Sequence, residues 1–165
     1  MMKFSHIVIL FITFFASASM AVSQTSSGTQ EYGDGGAYEG EFLNGLPHGN
    51  GTYELPNGYR YVGEWFEGEI NGQGEALFPN GSVYIGSFVK GKPEGSGKIT
   101  FTDGGTYEGE WANGSITGEG YAKYANGTTY QGTFLDAMHD GKGIMKSPDG
   151  YICLLYTSPS PRDPL

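Results

Sequence analysis

The chain has 165 residues, and its 29 glycines all lie between Gly28 and Gly150. The longest glycine-free stretch within those limits is eight residues, 133–140. A typical helix has about 11 residues, so a helical domain is excluded. Disorder is disfavoured because 15% of the residues are aromatic and only 16% are charged. Residues 22–152 hold 7 Lys and Arg against 17 Asp and Glu, a net charge of −10, which excludes nucleic acid as a partner and disfavours anionic lipid.

Residues 1–21 have the features of a secretory signal peptide. Lys3 precedes an apolar run from Ile7 to Phe15, and small residues suited to a signal peptidase follow. We therefore expect a secreted protein or one in the lumen of the secretory pathway. The alternative is an uncleaved membrane anchor over residues 4–22, because that stretch approaches the minimum length of about 17 residues for a span. Residues 22–37 are predicted to be a disordered linker leading into a partial repeat.

From Tyr38 onward the chain repeats with a period of 23 residues. Each unit opens with Tyr-x-Gly-x-aromatic (YEGEF, YVGEW, YIGSF, YEGEW, YQGTF), continues with Gly-x-Gly and closes with Asn or Asp before Gly. A fixed period of this length is typical of repeat architectures. The five units span residues 38–60, 61–83, 84–106, 107–129 and 130–152.

Each repeat is predicted to be one β-hairpin. Tyr38, Gly40 and Phe42 alternate, so they share one face of a strand. A loop with Asn44-Gly45 and Pro47 would lead to a second strand, with Gly40 opposite Gly51 and Phe42 opposite Gly49. A lone hairpin is marginal in water, so neighbouring hairpins must stack. The sequence thus predicts an all-β fold, an elongated single-layer antiparallel β-meander roughly 48 Å long.

Two rows of aromatic residues are the candidate binding surface. They are either a ladder of exposed rings for a ligand or the thin core of the sheet, and the core interpretation is favoured because a domain without helices has little else to bury. The residues are Tyr38, Phe42, Tyr61, Trp65, Tyr84, Phe88, Tyr107, Trp111, Tyr130 and Phe134.

The regularly spaced glycines are predicted to be structural. A ring over a glycine fills the space that the missing side chain leaves, which explains why glycines and aromatics recur in equal step. These glycines are Gly40, Gly49, Gly51, Gly63, Gly72, Gly74, Gly86, Gly95, Gly97, Gly109, Gly118, Gly120, Gly132, Gly141 and Gly143.

The spacing of these motifs resembles that of the MORN (membrane occupation and recognition nexus) repeat family. The resemblance covers about 115 residues, 38–152. It implies a meander of β-hairpins, and it implies no single activity because the family includes scaffolds, membrane-junction proteins and modules attached to kinases and methyltransferases. Fold and function have to be argued separately.

No enzymatic site, cofactor or metal is expected from the sequence. His48 and His139 are interpreted as surface loop residues, since no cysteine or carboxylate lies at metal-ligand spacing. The acid pair Glu39 and Glu41 would share the face opposite Tyr38, where it is solvated and not placed as in a glycosidase. The Asn-Gly turns also create four glycosylation sequons, at Asn50, Asn80, Asn113 and Asn126.

The predicted function is a non-enzymatic scaffold that presents an extended sheet surface to a protein, or to a glycan. Self-association is included, because residues 141–147 would form an unpaired edge strand if the array stopped at Ile152. One alternative is a membrane-associated module, and another is the regulatory segment of a truncated enzyme. Residues 153–165 break the repeat and are interpreted as an artefactual tail in place of a longer natural chain.

Overall fold

A computed structural model describes residues 24–157. The predicted signal peptide and residues 158–165 lie outside the described residues. Twelve β-strands make up the fold. They are β1 (Thr25–Glu31), β2 (Ala37–Leu43), β3 (Leu46–Glu54), β4 (Arg60–Phe66), β5 (Glu69–Leu77), β6 (Val83–Val89), β7 (Lys92–Thr100), β8 (Thr106–Ala112), β9 (Ser115–Lys123), β10 (Thr129–Leu135), β11 (Met138–Lys146) and β12 (Ile152–Thr157).

The strands form one antiparallel sheet in which spatial order equals chain order, β1 to β12. Residues 24–157 contain no helix. This arrangement confirms the predicted single-layer meander of hairpins. Each unit contributes two strands, and every strand pairs only with its neighbours along the chain, as expected for a repeat protein in which each unit contacts the next.

Both ends of the sheet differ from the expectation. Thr25–Glu31 forms strand β1 and pairs with β2 over seven residues, so the disordered linker predicted there is corrected. At the other end, Ile152–Thr157 forms β12 and pairs with β11, although it lacks the repeat motif. Strand pairing needs backbone groups rather than particular side chains, which is why a non-repeating segment continues the ladder.

A two-residue turn joins the strands of each hairpin. In the first repeat this turn is Asn44-Gly45, with φ of 52° and 83°, the conformation of a type I′ turn that matches the twist of the strands. Pro47 therefore lies in β3, where the sequence predicted a loop. In the fifth repeat Ala137 takes the glycine position at φ 62°, a conformation that costs an L-residue about 1 kcal/mol.

A bulge interrupts every hairpin at the residue after the motif glycine. In the first repeat Gly40 pairs with Gly51 but Phe42 pairs with Pro47, so Glu41 alone faces His48, Gly49 and Asn50. The prediction that Phe42 lies opposite Gly49 is wrong. Trp65 of the next repeat lies there instead, because the bulge adds two residues to the second strand. Gly49 takes a positive φ of 65° in the bulge.

Ten of the fifteen predicted glycines pair with one another across the sheet and form a continuous glycine ladder. Each glycine pairs with the next one in the series Gly40, Gly51, Gly63, Gly74, Gly86, Gly97, Gly109, Gly120, Gly132 and Gly143. Over each of the five pairs that lie within one hairpin is the tyrosine ring that opens the repeat. A Cβ at Gly74 would come within 2.5 Å of the Tyr61 ring, so the space above the ladder is already filled.

Successive hairpins are also joined at their tips. The turn amide of one repeat donates to a carbonyl of the preceding repeat, as in Gly68 to Pro47 at 2.8 Å and Gly114 to Pro93 at 2.9 Å. Ala137 donates to Ile116 in the same way at 3.0 Å. The turns therefore stack in register along the sheet, because these turn amides bond to the preceding repeat and not only within their own hairpin.

We predict that Gly74→Val destabilises the protein by at least about 2 kcal/mol, because the new side chain would displace the Tyr61 ring from a filled space. The matched control is Gln73→Val on the adjacent, exposed position, where the change should stay within about 0.5 kcal/mol. Urea unfolding of both variants measures the difference. Equal midpoints would contradict the tyrosine-over-glycine packing.

Candidate binding surface

The aromatic residues proposed as a binding surface are mostly buried. Nine of the ten are less than a tenth exposed, and Phe42 is half-buried. The rings of neighbouring repeats interlock edge to face, as in Tyr38 with Trp65 at 4.8 Å and Tyr61 with Phe88 at 5.0 Å between centroids. This geometry suits the ring quadrupoles. We call this side of the sheet the aromatic face, and it carries the core.

Each buried tyrosine also closes the bulge of its own hairpin. The hydroxyl of Tyr38 donates to the carbonyl of Glu41 at 2.8 Å, and Tyr107 donates to Glu110 at 3.0 Å. Tyr61, Tyr84 and Tyr130 make the same bond three residues ahead. The bond joins the ring to the backbone at the register shift, where the hydroxyl donates to a carbonyl next to the bulge.

Burial changes the acidity of these hydroxyls. It raises the pKa of Tyr84 and of Tyr107 to about 12, above the ordinary value of 10.0, and it raises the pKa of Tyr61 further. A buried phenol resists ionisation because the charged form loses its hydration. At neutral pH these residues are hydrogen-bond donors and not nucleophiles or bases.

The two histidines lie in strands and not in loops, which corrects the sequence interpretation. His48 in β3 packs beside Phe66. His139 in β11 stacks on Tyr130 with centroids 3.7 Å apart, and its Nε2 lies 2.7 Å from the Tyr124 hydroxyl. Burial lowers the pKa of His139. Both are packing residues, and no group of three or more metal-ligating side chains occurs within residues 24–157.

The opposite side of the sheet, which we call the open face, carries the residues that alternate with the tyrosines and glycines. Across its centre runs one row of side chains, the middle row, joined by direct cross-strand pairing and almost entirely exposed. It consists of Glu39, Thr52, Val62, Glu75, Ile85, Lys98, Glu108, Tyr121, Gln131, Ile144 and Leu154.

Apolar side chains in the middle row are strongly exposed. Val62, Ile85, Tyr121, Ile144 and Leu154 are 37%, 55%, 44%, 48% and 62% exposed. Single exposed apolar residues are common, but a row of them crossing a sheet is typical of an interaction surface. Sequence reasoning missed this row. The available signal was the apolar residue directly after a motif tyrosine, which alternation places on the face away from the core.

Two grooves run beside the middle row on the open face. One of about 550 Å³ is lined by Ile85, Ser96, Lys98, Glu108, Glu110 and Glu119. The other, of about 290 Å³, continues from Glu119 past Lys142 and Ile144 to Leu154 and Tyr156. Ladder glycines line both grooves, Gly97 and Gly109 in the first and Gly132 and Gly143 in the second. The grooves therefore run across the strands, parallel to the middle row.

Charge is distributed unevenly along the chain. Residues 38–83 hold seven acids and one base, a net charge of −6, whereas residues 84–152 hold eight acids and six bases, a net charge of −2. Two cross-strand ion pairs lie on the open face, Arg60 with Glu54 at 2.7 Å and Lys98 with Glu108 at 3.7 Å. Both are exposed and add little stability, so the open face is charged rather than internally neutralised.

The acids of the bulge have a structural role. Glu64 accepts the backbone N–H of Gln73 at 2.7 Å across the bulge, and Glu41 reaches Asn50 at 3.4 Å. Glu41, the second acid of the pair predicted from the sequence, thus contacts the backbone of the bulge. Among residues 24–157, no helix is long and apolar enough to cross a membrane.

The fold and its surface together define an open-sheet repeat protein built from hairpin units. The sequence matches the MORN repeat family over residues 38–58, 61–83, 84–106, 107–129 and 130–150. The chain therefore belongs to the MORN repeat family, as its motifs suggested. A sequence comparison with characterised proteins finds no match.

Three solved structures are similar to this chain at low sequence identity and low TM-score. The TCP domain of Drosophila melanogaster SAS-4, in complex with a proline-rich motif of Ana2, is 13% identical with a TM-score of 0.43, over 90% of this chain and 99% of that chain. The TCP10 domain of Danio rerio CPAP is 18% identical with a TM-score of 0.29, over 79% and 73%. The same zebrafish domain with a STIL peptide is 16% identical, with a TM-score of 0.18, over 79% and 84%.

We predict that Tyr107→Phe destabilises the protein by about 1 to 2 kcal/mol, because the carbonyl of Glu110 loses its donor while the ring and its packing remain. The control is Tyr121→Phe on the open face, where the hydroxyl is exposed and the change should be near zero. Urea unfolding of both variants at neutral pH measures the effect. Equal losses, or none, would contradict the role of the hydroxyl.

The pH dependence provides a second readout for the same prediction. The pKa of Tyr107 is raised in the folded state, so its contribution is complete below the ordinary pKa of 10.0 and is lost as pH rises toward about 12. Wild-type stability should therefore fall across this interval. Tyr107→Phe should make that fall shallower, and Tyr121→Phe should leave it unchanged.

Proposed function

We propose that this protein is a non-enzymatic binding scaffold whose open face holds an extended segment of a partner protein. The observation that carries the proposal is the middle row, in which exposed apolar side chains recur across the sheet between charged ones. The family relationship supports a repeat module of this kind and names no partner. The buried aromatic residues do not contribute to this surface.

The spacing of the apolar side chains suits an extended peptide laid across the strands. Val62 and Ile85 lie two strands apart, as do Tyr121 and Ile144. With neighbouring strands about 4.8 Å apart, these side chains are separated by about 10 Å, which one three-residue turn of a polyproline II segment spans with its first and fourth side chains on the same side. A partner with an apolar residue at every third position would therefore bring these side chains onto successive apolar contacts.

Charge favours a basic partner segment over the first two repeats. Glu39, Glu54, Glu64 and Glu75 are exposed on that part of the open face against one base, Arg60. Complementary charge increases association rates and selects orientation. The same charge disfavours an anionic membrane. A glycan is the weaker candidate because aliphatic side chains such as Ile85 and Ile144 match a peptide better than a hydroxyl-rich sugar.

We expect selection from a random peptide library displayed on phage to enrich basic sequences with apolar residues three apart. The double variant Ile85→Lys/Tyr121→Lys should bind these peptides at least about tenfold more weakly, because it places charge on the apolar contacts. Val89→Lys is the control, an exposed apolar position outside the middle row and the grooves. No enrichment, or peptides that bind the double variant as well as wild type, would refute the proposal.

We also propose that the protein acts in the secretory pathway or outside the cell, with membrane anchoring through residues 4–22 as the alternative. The support is the pattern of Lys3, the apolar run and small residues at 16–21. Expression of the full chain in eukaryotic cells, followed by N-terminal sequencing, tests this. A mature N-terminus close to Val22 is expected. A product that keeps Met1 and stays in the membrane fraction would favour the anchor.

A third possibility is that the repeats, with the same open face, form the regulatory segment of a longer enzyme. The motifs alone suit either setting, since MORN repeats occur both as scaffolds and beside catalytic domains. Sequencing the native transcript past codon 152 distinguishes them. An open reading frame that continues into a catalytic domain would replace the scaffold by the regulatory role.

A further inference from the structure

The aromatic face contains one hollow that its own side chains leave empty. It measures about 170 Å³ and lies where the third, fourth and fifth repeats meet. Its walls are Tyr107, Ile116, Ala122, Tyr124 and Phe134, so it is lined by apolar and aromatic groups. Tyr124 is 38% exposed and the neighbouring Phe101 is 39% exposed, so the hollow opens to solvent rather than being sealed in the core.

Two small residues create the hollow. The repeat period equates Gly105 with Gly36, Tyr59, Ser82 and Thr128, and it equates Ala122 mostly with larger residues. Ala122 corresponds to Tyr53, Ile99 and Met145 in the first, third and fifth repeats. In the second repeat the corresponding residue is Ala76, but there the position of Gly105 is taken by a tyrosine, Tyr59. Among the five repeats, only the fourth has a small residue at the Ala122 position and also follows a small residue at the Gly105 position.

The second repeat shows what fits such a hollow. Its walls repeat those of the fourth almost residue for residue, with Tyr61, Ile70, Ala76, Phe78 and Phe88 in equivalent positions. Tyr59 packs against this core, and its ring lies 6.0 Å from that of Phe78. A tyrosine ring is therefore the group that this protein itself places over these walls.

Size and polarity agree with the same occupant. An apolar cavity of about 150 Å³ holds benzene, so 170 Å³ admits one six-membered ring and little more. Asp103, exposed in the neighbouring turn, is among the lining residues and offers a carboxylate acceptor to a phenol hydroxyl. An aromatic ring with a polar tip satisfies both parts of the site.

We propose that this hollow, the ring pocket, receives a tyrosine side chain of a partner protein. The ring pocket lies on the aromatic face, so it is separate from the middle row and the grooves of the open face. Binding here would place one anchoring side chain in a desolvated pocket, the arrangement that dominates the affinity of many interfaces. The scaffold would then hold two protein segments, one on each side of its sheet.

Titration with p-cresol, the side chain of tyrosine as a free molecule, tests the pocket directly. In ¹³C methyl NMR of the protein, we expect saturable shifts at Ile116, Ala122 and Ala137, with half-saturation at about 1 mM for so small a ligand. Ile85 on the open face and Ala76 in the filled hollow are internal references and should not shift. Toluene should bind at least about threefold more weakly if the mouth contacts the hydroxyl.

Two variants fill the pocket in ways the protein already tolerates. Ala122→Ile copies the third repeat and Gly105→Tyr copies the second. Both should fold, as judged by unchanged shifts elsewhere, and both should abolish p-cresol binding. Ile85→Lys is the matched control and should retain it. Absence of saturable shifts in wild type, or equal binding by wild type and Ala122→Ile, would overturn the proposal.

The source of the tyrosine is resolved by two further measurements. Some selected peptides should bind wild type and Ile85→Lys but not Ala122→Ile. These peptides should contain tyrosine. Peptides with this binding pattern but without tyrosine would refute the partner proposal. Tyr151 and Tyr156 of a second copy are exposed enough to compete. Concentration-dependent dimers removed by Ala122→Ile would assign the pocket to self-association instead. Loss of the open-face peptides alone would refute the scaffold proposal and leave the pocket intact.

Discussion

The packing of a tyrosine ring over paired glycines determines the rest of this structure. The ring can lie flat along its own strand only where both strands lack a side chain, and Tyr61 over Gly63 and Gly74 is an example. Lying flat brings the hydroxyl three residues ahead, to the carbonyl at the bulge. One residue type therefore provides the core of a sheet with a single layer, excludes water from it and satisfies its irregular backbone group.

Much of this architecture could be predicted from the period and the alternation of side chains. The two strands of each repeat, their antiparallel order and the pairing of Gly40 with Gly51 all follow from where Tyr, Gly and turn residues recur. The bulge could not be predicted, because nothing in a 23-residue count shows which strand carries the two extra residues. That omission misplaced Phe42 and put Pro47 and the histidines in loops.

The ends and the open face were hidden for a different reason. Strand β1 is polar and β12 lacks the motif, yet both pair, because hydrogen bonding along an edge depends on the backbone. On the open face, side chains are under few packing constraints, so the only signal for the middle row is the apolar residue after a motif tyrosine, as at Val62 and Ile85. In the sequence, the ring pocket is indicated only by the small residues Gly105 and Ala122. Recognising it requires comparing the repeats in space as well as in sequence.

The hydrogen bonds between hairpin tips have a consequence for how such a chain changes length. Because Gly68 donates to Pro47 and Gly114 to Pro93 in the same geometry, every junction between units is interchangeable with every other. A gene that gains or loses a whole unit by unequal recombination would create no unfamiliar junction, and the product would be a longer or shorter sheet of unchanged cross-section. Insertions of any other size would shift the tyrosines out of step with the glycines, so evolution of this molecule should proceed in steps of 23 residues.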